Sequence, residues 1–185
     1  MCVSKSCSEC LTSSEIHEVA PDGVHRCRFP YHASAVIDGR RVDIQYQKHI
    51  LHHVFTARVV RTGRPVVVKF AKQYGSELHR YCAEEGFAPA LLHSEELINN
   101  WIFIVMDKLE LTPLDQASVD KSIISGQVLK IQGRLAAAKY VHGDLRENNV
   151  LWDTGSSRVV LIDFDWAERR QNLVSNVYES RYRMA

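Results

Sequence analysis

The sequence predicts an α+β fold, in which a small antiparallel sheet is followed by a more helical part. Two pairs of strand-like segments come first, at residues 33–37 with 41–46 and at residues 54–60 with 65–70. A short helix, an apolar strand, a longer helix and two further short strands follow them. Strands grouped ahead of helices, without regular alternation of the two, are typical of the α+β class.

Each of the two hairpins is indicated by its turn. Asp38 and Gly39 separate the first pair of strands, and an Asp-Gly pair readily adopts the positive φ angles of a tight turn. The second pair is separated by residues 61–64, which contain Gly63. We therefore predict antiparallel pairing within both segments.

The helical segments are predicted from the spacing of their apolar residues. In residues 76–85, Leu78, Tyr81 and Cys82 share one face, and Gly86 ends the helix. Residues 101–106 are a β-branched apolar run of strand length. The longer helix spans residues 121–138. Its apolar residues at helical spacing are Ile123, Ile124, Val128, Leu129, Ile131 and Leu135.

The composition excludes several classes of protein. Among 185 residues, Lys and Arg number 23 and Asp and Glu number 22, so the net charge is +1. A charge this small gives no electrostatic reason to expect binding to nucleic acid or to a membrane surface. The longest apolar run is far shorter than a membrane span, and the first residues do not resemble a secretory signal. We expect an intracellular protein of the cytoplasm or nucleus.

The cysteines and histidines offer two weak metal hypotheses. Residues 1–32 have no sustained periodicity and are predicted to be a weakly ordered extension that carries free thiols. The alternative there is a zinc site, since zinc is often held by four such ligands; the candidates are Cys7, Cys10, His25 and Cys27. A second cluster is expected to be polar surface and not a metal site. It contains His49, His52 and His53.

Polar residues that can carry chemistry follow or interrupt apolar strands. The stretch HGDLRENN occupies residues 142–149, and DFD follows an apolar strand at residues 163–165. Lys69 ends the run VVVK, where a buried charge is costly unless it is paired with an anion. Glu77 on the following helix is the nearest candidate partner, and Glu84 on the same face is the alternative.

These stretches together resemble the signature motifs of protein kinases. The finer pattern across residues 54–167 is similar to fungal-type protein kinase-like domains and to small kinases with an HGD loop. The resemblance implies a two-lobe protein kinase-like fold. Residues 33–108 would form a small antiparallel-sheet N-lobe of five strands, and residues 109–185 a reduced helical C-lobe.

The resemblance also implies a role for each motif residue in binding ATP and Mg²⁺. Lys69 would bind the α- and β-phosphates, and Glu77 would orient that lysine. Asn149 and Asp163 would provide hard oxygen ligands to Mg²⁺. Asp144 would accept a hydrogen bond from the attacking hydroxyl. The simpler alternatives are that Asp144 caps a turn, that Asp163 ends a strand, and that Lys69 is a solvated residue on an edge strand.

Several features depart from the kinase pattern. Residues 45–54 contain no glycine where a glycine-rich, phosphate-covering loop is expected, so weakened ATP affinity follows. Gly143 replaces an arginine, which argues against control by an activation-loop phosphate. Asp165 replaces a flexible glycine, which should hinder flipping of the Asp163 segment.

The chain is also short for a full C-lobe, because only residues 164–185 follow Asp163. The helix at residues 121–138 is therefore expected to be partly uncovered, with Ile123, Leu129 and Leu135 exposed. Three explanations remain open: the tail of residues 166–185 folds over this face, a partner chain covers it, or the chain is a fragment.

These observations favour an ATP- and Mg²⁺-dependent phosphotransferase with an unknown phosphate acceptor. A Ser/Thr protein kinase is the first interpretation, and a small-molecule kinase using the same HGD loop is the second. The competing class is a catalytically inactive pseudokinase or nucleotide-binding module, which the missing glycine-rich loop and the short C-lobe favour.

Overall fold

A computed structural model of the protein describes residues 32–169. The chain divides into two compact units. The described part of the first unit comprises residues 32–74 and 89–109, and that of the second comprises residues 75–88 and 110–169. The proposed zinc ligands near the N-terminus and the tail beyond residue 169 lie outside the described residues.

The first unit is an antiparallel sheet of six strands with the order β1-β2-β3-β4-β6-β5. Both predicted hairpins are present, but the expected number of five strands was wrong, because β5 was not predicted. The sequence of β5, LLHSEEL, lacks the alternation of apolar and polar residues that identifies a half-buried strand. The strands are β1 (Ser34–Ile37), β2 (Arg40–Leu51), β3 (Val54–Val59), β4 (Pro65–Ala71), β5 (Leu91–Leu97) and β6 (Trp101–Asp107).

The turn between β1 and β2 has the predicted conformation. Asp38 and Gly39 have φ angles of 51° and 71°, and Ile37 pairs with Arg40 across the turn. This two-residue loop with both φ angles positive matches the twist of the flanking strands.

The core of the first unit lies on one face of the curved sheet. Phe55, Val68, Phe70 and Phe103 are at most 2% exposed and project to this face. The sheet curls so that its edge strands approach each other. The side chain of His93 on β5 forms a hydrogen bond of 3.1 Å with the carbonyl of Val36 on β1.

Strand β2 and the turn that follows it occupy the region in which a glycine-rich loop was expected. Strand β2 runs through residue 51, with irregular register near Tyr46 and His49. The nearby histidines pack on aromatic rings: His49 lies 5.1 Å from the Phe55 ring, and His53 lies 4.9 Å from Trp101. Burial, together with the charges of His52 and His49, lowers the pKa of His53. The described residues contain no cluster of three or more His, Cys, Asp or Glu side chains that could hold a metal ion.

The second unit combines two helices with short strands. The helices are α1 (Ser76–Glu84) and α2 (Lys121–Ala137), close to the predicted ranges. Strand β9 pairs with both β7 and β10, and β8 pairs with β11. The strands are β7 (Leu111–Pro113), β8 (Tyr140–Val141), β9 (Val150–Asp153), β10 (Arg158–Leu161) and β11 (Glu168–Arg169).

Helix α2 is exposed along part of its surface, as expected, but not at every predicted residue. Ile123 and Leu129 are 51% and 67% exposed, whereas Leu135 is only 3% exposed. The expectation for Leu135 was wrong because this residue lies on the same face as Ile124 and Ile131, which is the buried side of the helix. Within residues 32–169, no helix is long and apolar enough to cross a membrane.

Cys82 is predicted to be unreactive in the native protein. Burial raises the pKa of its thiol to about 12 from an ordinary value of 9.0, and the charge of Glu85 contributes to the increase. Because only the thiolate is nucleophilic, Ellman's reagent at pH 8 should modify Cys82 only after unfolding. The measurement uses a variant in which the four other cysteines are serine. Rapid modification without denaturant would contradict the burial of this residue.

The raised pKa of Cys82 also sets the direction of a pH dependence. The folded protein holds the thiol proton more tightly than the unfolded chain does. The resulting contribution to stability is complete below about pH 9 and is lost as the pH rises towards 12.

Candidate active site

The loop between β8 and β9 holds Asp144 in a defined orientation. Oδ2 of Asp144 accepts hydrogen bonds from Nη2 of Arg146 at 2.7 Å and from Nδ2 of Asn149 at 2.8 Å. Nδ2 of Asn149 also donates to the Asp144 carbonyl at 2.9 Å. Oδ1 of Asp144 accepts no hydrogen bond within the described part of the chain. One carboxylate oxygen is therefore held in place while the other can accept a further hydrogen bond.

Backbone hydrogen bonds attach this loop to the segment that carries Asp163. The amide of Ile162 donates to the Asn149 carbonyl at 3.0 Å, and Nε2 of His142 donates to the Ile162 carbonyl at 3.0 Å. Both sides of residue 162 are thus bonded to the loop. The structure therefore brings the loop that carries Asp144 and Asn149 next to the segment that carries Asp163, although Asn149 and Asp163 are 14 positions apart in sequence.

Asp163 itself has an unusual backbone conformation. Its φ angle is 65°, which lies in the left-handed region that residues with a Cβ seldom adopt. Such conformations cost about 1–3 kcal/mol and persist only where the surrounding structure enforces them, often at functional sites. The backbone bonds on either side of Ile162 provide that enforcement.

Phe164 anchors the segment in a buried stack of rings. Its ring is parallel to that of His79 on α1, with 4.5 Å between centroids and 8° between planes. The ring of His142 lies 4.9 Å away, and all three side chains are at most 1% exposed. The buried stack links helix α1, the loop and the segment following Asp163.

Two glycines allow the chain after Phe164 to pack closely against its surroundings. A Cβ at Gly143 would lie 2.7 Å from Cβ of Trp166, and one at Gly75 would lie 2.5 Å from Cβ of Ala167. The amide of Gly75 donates to the Phe164 carbonyl at 2.9 Å. Gly143 also has a φ angle of 80°, so its conformation and its lack of a side chain are both required.

Glu77 lies in the second unit and contacts residues that the sequence did not suggest. Its Oε1 accepts a hydrogen bond from the Tyr140 hydroxyl at 2.7 Å and lies 3.5 Å from Nη1 of Arg169. The hydrogen bond to Glu77 raises the pKa of Tyr140. Glu84, the alternative partner for the lysine, is exposed at the end of α1. The choice between Glu77 and Glu84 stays a prediction.

Lys69 lies in the first unit, on strand β4. Because β4 pairs with β3 on one side and β6 on the other, it is not the edge strand that the simpler alternative required. Lys69 is half-buried and belongs to the sheet face opposite the buried Val68 and Phe70. Its Nζ lies 5.7 Å from the centre of the Tyr74 ring.

Arg146 is a candidate functional residue that the sequence reasoning missed. Its side chain is 66% exposed beside Asp144, so it can reach an anion in solvent while it orients the carboxylate. The sequence signal for it was a cation two residues after Asp144 in HGDLRENN.

The donor atoms of this site suit a hard divalent cation. Nδ2 of Asn149 donates to Asp144, which leaves Oδ1 of Asn149 as an acceptor. Asp163, which follows the bonded Ile162, carries a carboxylate. Mg²⁺ is usually held by one or two protein oxygens together with water and phosphate oxygens. These two residues therefore fit Mg²⁺ in the presence of a nucleotide.

Comparison with known proteins shows that the fold is protein kinase-like. A sequence model described as the RIO domain matches residues 88–173. Among solved structures, that of the Cydia pomonella granulovirus kinase, PK-1, is similar to the structure of this protein, with 16% sequence identity and a TM-score of 0.52. That match covers 63% of this chain and 48% of the viral kinase, so the chain spans about half the length of the structure it matches. No curated protein matches the sequence significantly.

Proposed function

We propose that this protein, which has a protein kinase-like fold, is an ATP- and Mg²⁺-dependent phosphotransferase. The observation that carries the proposal is the hydrogen-bonded pair of Asp144 and Asn149, joined through the backbone to the segment bearing Asp163. A carboxylate oriented by two donors, next to two oxygen ligands, is the arrangement that phosphoryl transfer needs.

The chain's own residues would position the reactants. Oδ1 of Asp144 would accept a hydrogen bond from the attacking hydroxyl and orient it. Asn149 and Asp163 would hold Mg²⁺, which supplies charge neutralisation at the phosphates. Arg146 would balance negative charge beside Asp144, and Lys69 would bind the α- and β-phosphates.

A Ser/Thr protein kinase remains the first proposal for the acceptor class, and a small-molecule kinase is the second. Three further features are also proposals. They are a nearer relationship to fungal-type kinase-like domains, a division into two lobes at residues 33–108 and 109–185, and a cytoplasmic or nuclear location. A partner chain covering residues 121–138 is compatible with the exposure of Ile123 and Leu129.

Nucleotide binding is tested by thermal unfolding with Mg²⁺-ATP, with Mg²⁺-ADP and with Mg²⁺ alone. At ten times its Kd, ATP should raise Tm by about 3–5 °C, because a ligand of the native state stabilises it. Asp163→Ala should abolish this increase. If millimolar Mg²⁺-ATP leaves Tm unchanged, the proposal of ATP binding fails.

A nucleotide-binding pseudokinase is the alternative function. The absence of glycine from residues 45–54 favours it, because backbone amides approach phosphates closely only where side chains do not intervene. An increase in Tm with ATP, combined with no phosphate transfer, would support this alternative.

A further inference from the structure

A cavity of about 360 Å³ lies in the second unit, among the end of α1, helix α2 and strand β10. Asp144, Asn149 and Asp163 do not line it. Its apolar wall is formed by Phe87, Ile131 and Val159. Its polar lining includes Gln127, Lys130 and Arg158.

The guanidinium of Arg158 is held at this cavity by a buried carboxylate. Nε of Arg158 lies 3.4 Å from Oδ2 of Asp153, whose side chain is only 3% exposed. Asp153 is itself positioned by a hydrogen bond from the amide of Gly155 to its Oδ1 at 3.1 Å. The 3.4 Å contact is not aligned as a hydrogen bond, so Asp153 orients Arg158 mainly through charge.

Gly86 makes room for the end of the Arg158 side chain. A Cβ at Gly86 would lie 3.1 Å from Nη1 of Arg158, so the guanidinium passes over the glycine. Neither Nη group of Arg158 has a hydrogen-bond partner among residues 32–169. Arginine presents its N–H groups in a planar fork that suits the two oxygens of a carboxylate or phosphate.

The other charges around the cavity are compatible with an anion. Glu85 also lines it, but Arg134 neutralises this carboxylate through hydrogen bonds of 2.6 and 2.8 Å. Gln127 is committed to the backbone, since its Oε1 accepts from the Val159 amide at 2.7 Å. Lys130 is exposed at the rim and adds a positive charge.

We propose that this cavity binds a small organic anion, in which a carboxylate or phosphate group is attached to an apolar body. Arg158 would bind the oxyanion, Lys130 would contribute at the rim, and Phe87 and Ile131 would contact the apolar part. The proposal is independent of ATP binding, because none of its residues belongs to the candidate active site.

The test is an NMR titration of the ¹⁵N-labelled full chain with three probes of similar shape. Phenyl phosphate and 3-phenylpropionate carry the two possible oxyanions, and 3-phenylpropanamide is the uncharged control. Both anions, or one of them, should cause saturable shifts of the Gly86, Phe87 and Val159 amides, and the amide probe should not. The anion that binds more tightly identifies the preferred group.

Substitutions locate the binding and separate it from folding. Arg158→Gln should weaken binding by about tenfold or more, because it removes charge-assisted hydrogen bonds. Lys130→Gln, at an exposed position, should weaken binding severalfold without affecting the fold. Arg80→Gln, on the exposed side of α1, should leave binding unchanged.

Three results would overturn the proposal: no saturable shift at millimolar anion, equal binding of the acid and the amide, or unchanged affinity in Arg158→Gln. Arg158→Gln leaves Asp153 buried without its cation, so this variant could fail to fold. In that case the proposal is tested by the comparison of charged and uncharged probes and by the Lys130→Gln variant. Unchanged affinity in Lys130→Gln, together with no preference for charge, would then reject the site.

Discussion

Asp144→Asn is expected to lower phosphate transfer from ATP by about 10²–10⁴-fold and to leave nucleotide binding nearly unchanged. The substitution keeps the size of the side chain but removes the charge that Arg146 and Asn149 stabilise at Oδ2. An amide at this position is a far weaker acceptor for the proton of an attacking hydroxyl. The loss should therefore appear in the rate of transfer and not in the increase of Tm with ATP.

Transfer is measured with γ-labelled ATP, as autophosphorylation and as release of phosphate to water, since the acceptor is unknown. Arg80→Gln is the matched control, because it changes one exposed charge on helix α1 of the same unit. Equal transfer by the wild type and Asp144→Asn would contradict the catalytic role of Asp144. Transfer by neither protein, with ATP bound by both, would identify the pseudokinase alternative.

Gly143→Ala should destabilise the protein by about 2–6 kcal/mol. Two costs add here: a φ angle of 80° is strained for alanine, and its Cβ would lie 2.7 Å from that of Trp166. The clash also involves the backbone of Trp166, which cannot move without disturbing the Phe164 stack. Urea unfolding followed by circular dichroism measures the change in free energy.

Gly126→Ala is the matched control for that experiment. Gly126 lies within helix α2, and a Cβ there would meet no atom within 4 Å. Alanine should stabilise the helix by up to about 1 kcal/mol, because glycine loses more backbone entropy on folding. If the two substitutions changed stability equally, the close approach of Gly143 to Trp166 would be incorrect.

Much of the secondary structure could be predicted from local sequence. The turn at Asp38 and Gly39, the run of residues 101–106 and the spacing within α2 each contain enough information within a few residues to identify an element. Strand β5 could not be predicted in this way, because its residues are mostly partly exposed and do not alternate. It is a strand because β6 supplies its hydrogen-bond partners.

The candidate site also has features that local sequence could suggest and features that it could not. HGDLRENN and DFD led to the prediction that Asp144, Asn149 and Asp163 carry phosphoryl-transfer chemistry, because the two stretches resemble motifs of protein kinases. The contacts of Glu77 with Tyr140 and Arg169 could not be anticipated, because 63 residues separate Glu77 from Tyr140. Local patterns contain no information about a pairing over that distance.

The sequence by itself predicted which side chains could perform the chemistry, and it determined the two hairpins and the two helices, because both inferences depend on residue type and short-range spacing. The tertiary structure alone decided that Ile162 joins the loop to the Asp163 segment, and that Gly143 lies against Trp166. It also placed Arg158 over Gly86, at a cavity the sequence did not indicate. These features arise from the close packing of distant segments, where the space left by a missing side chain matters as much as the residues present.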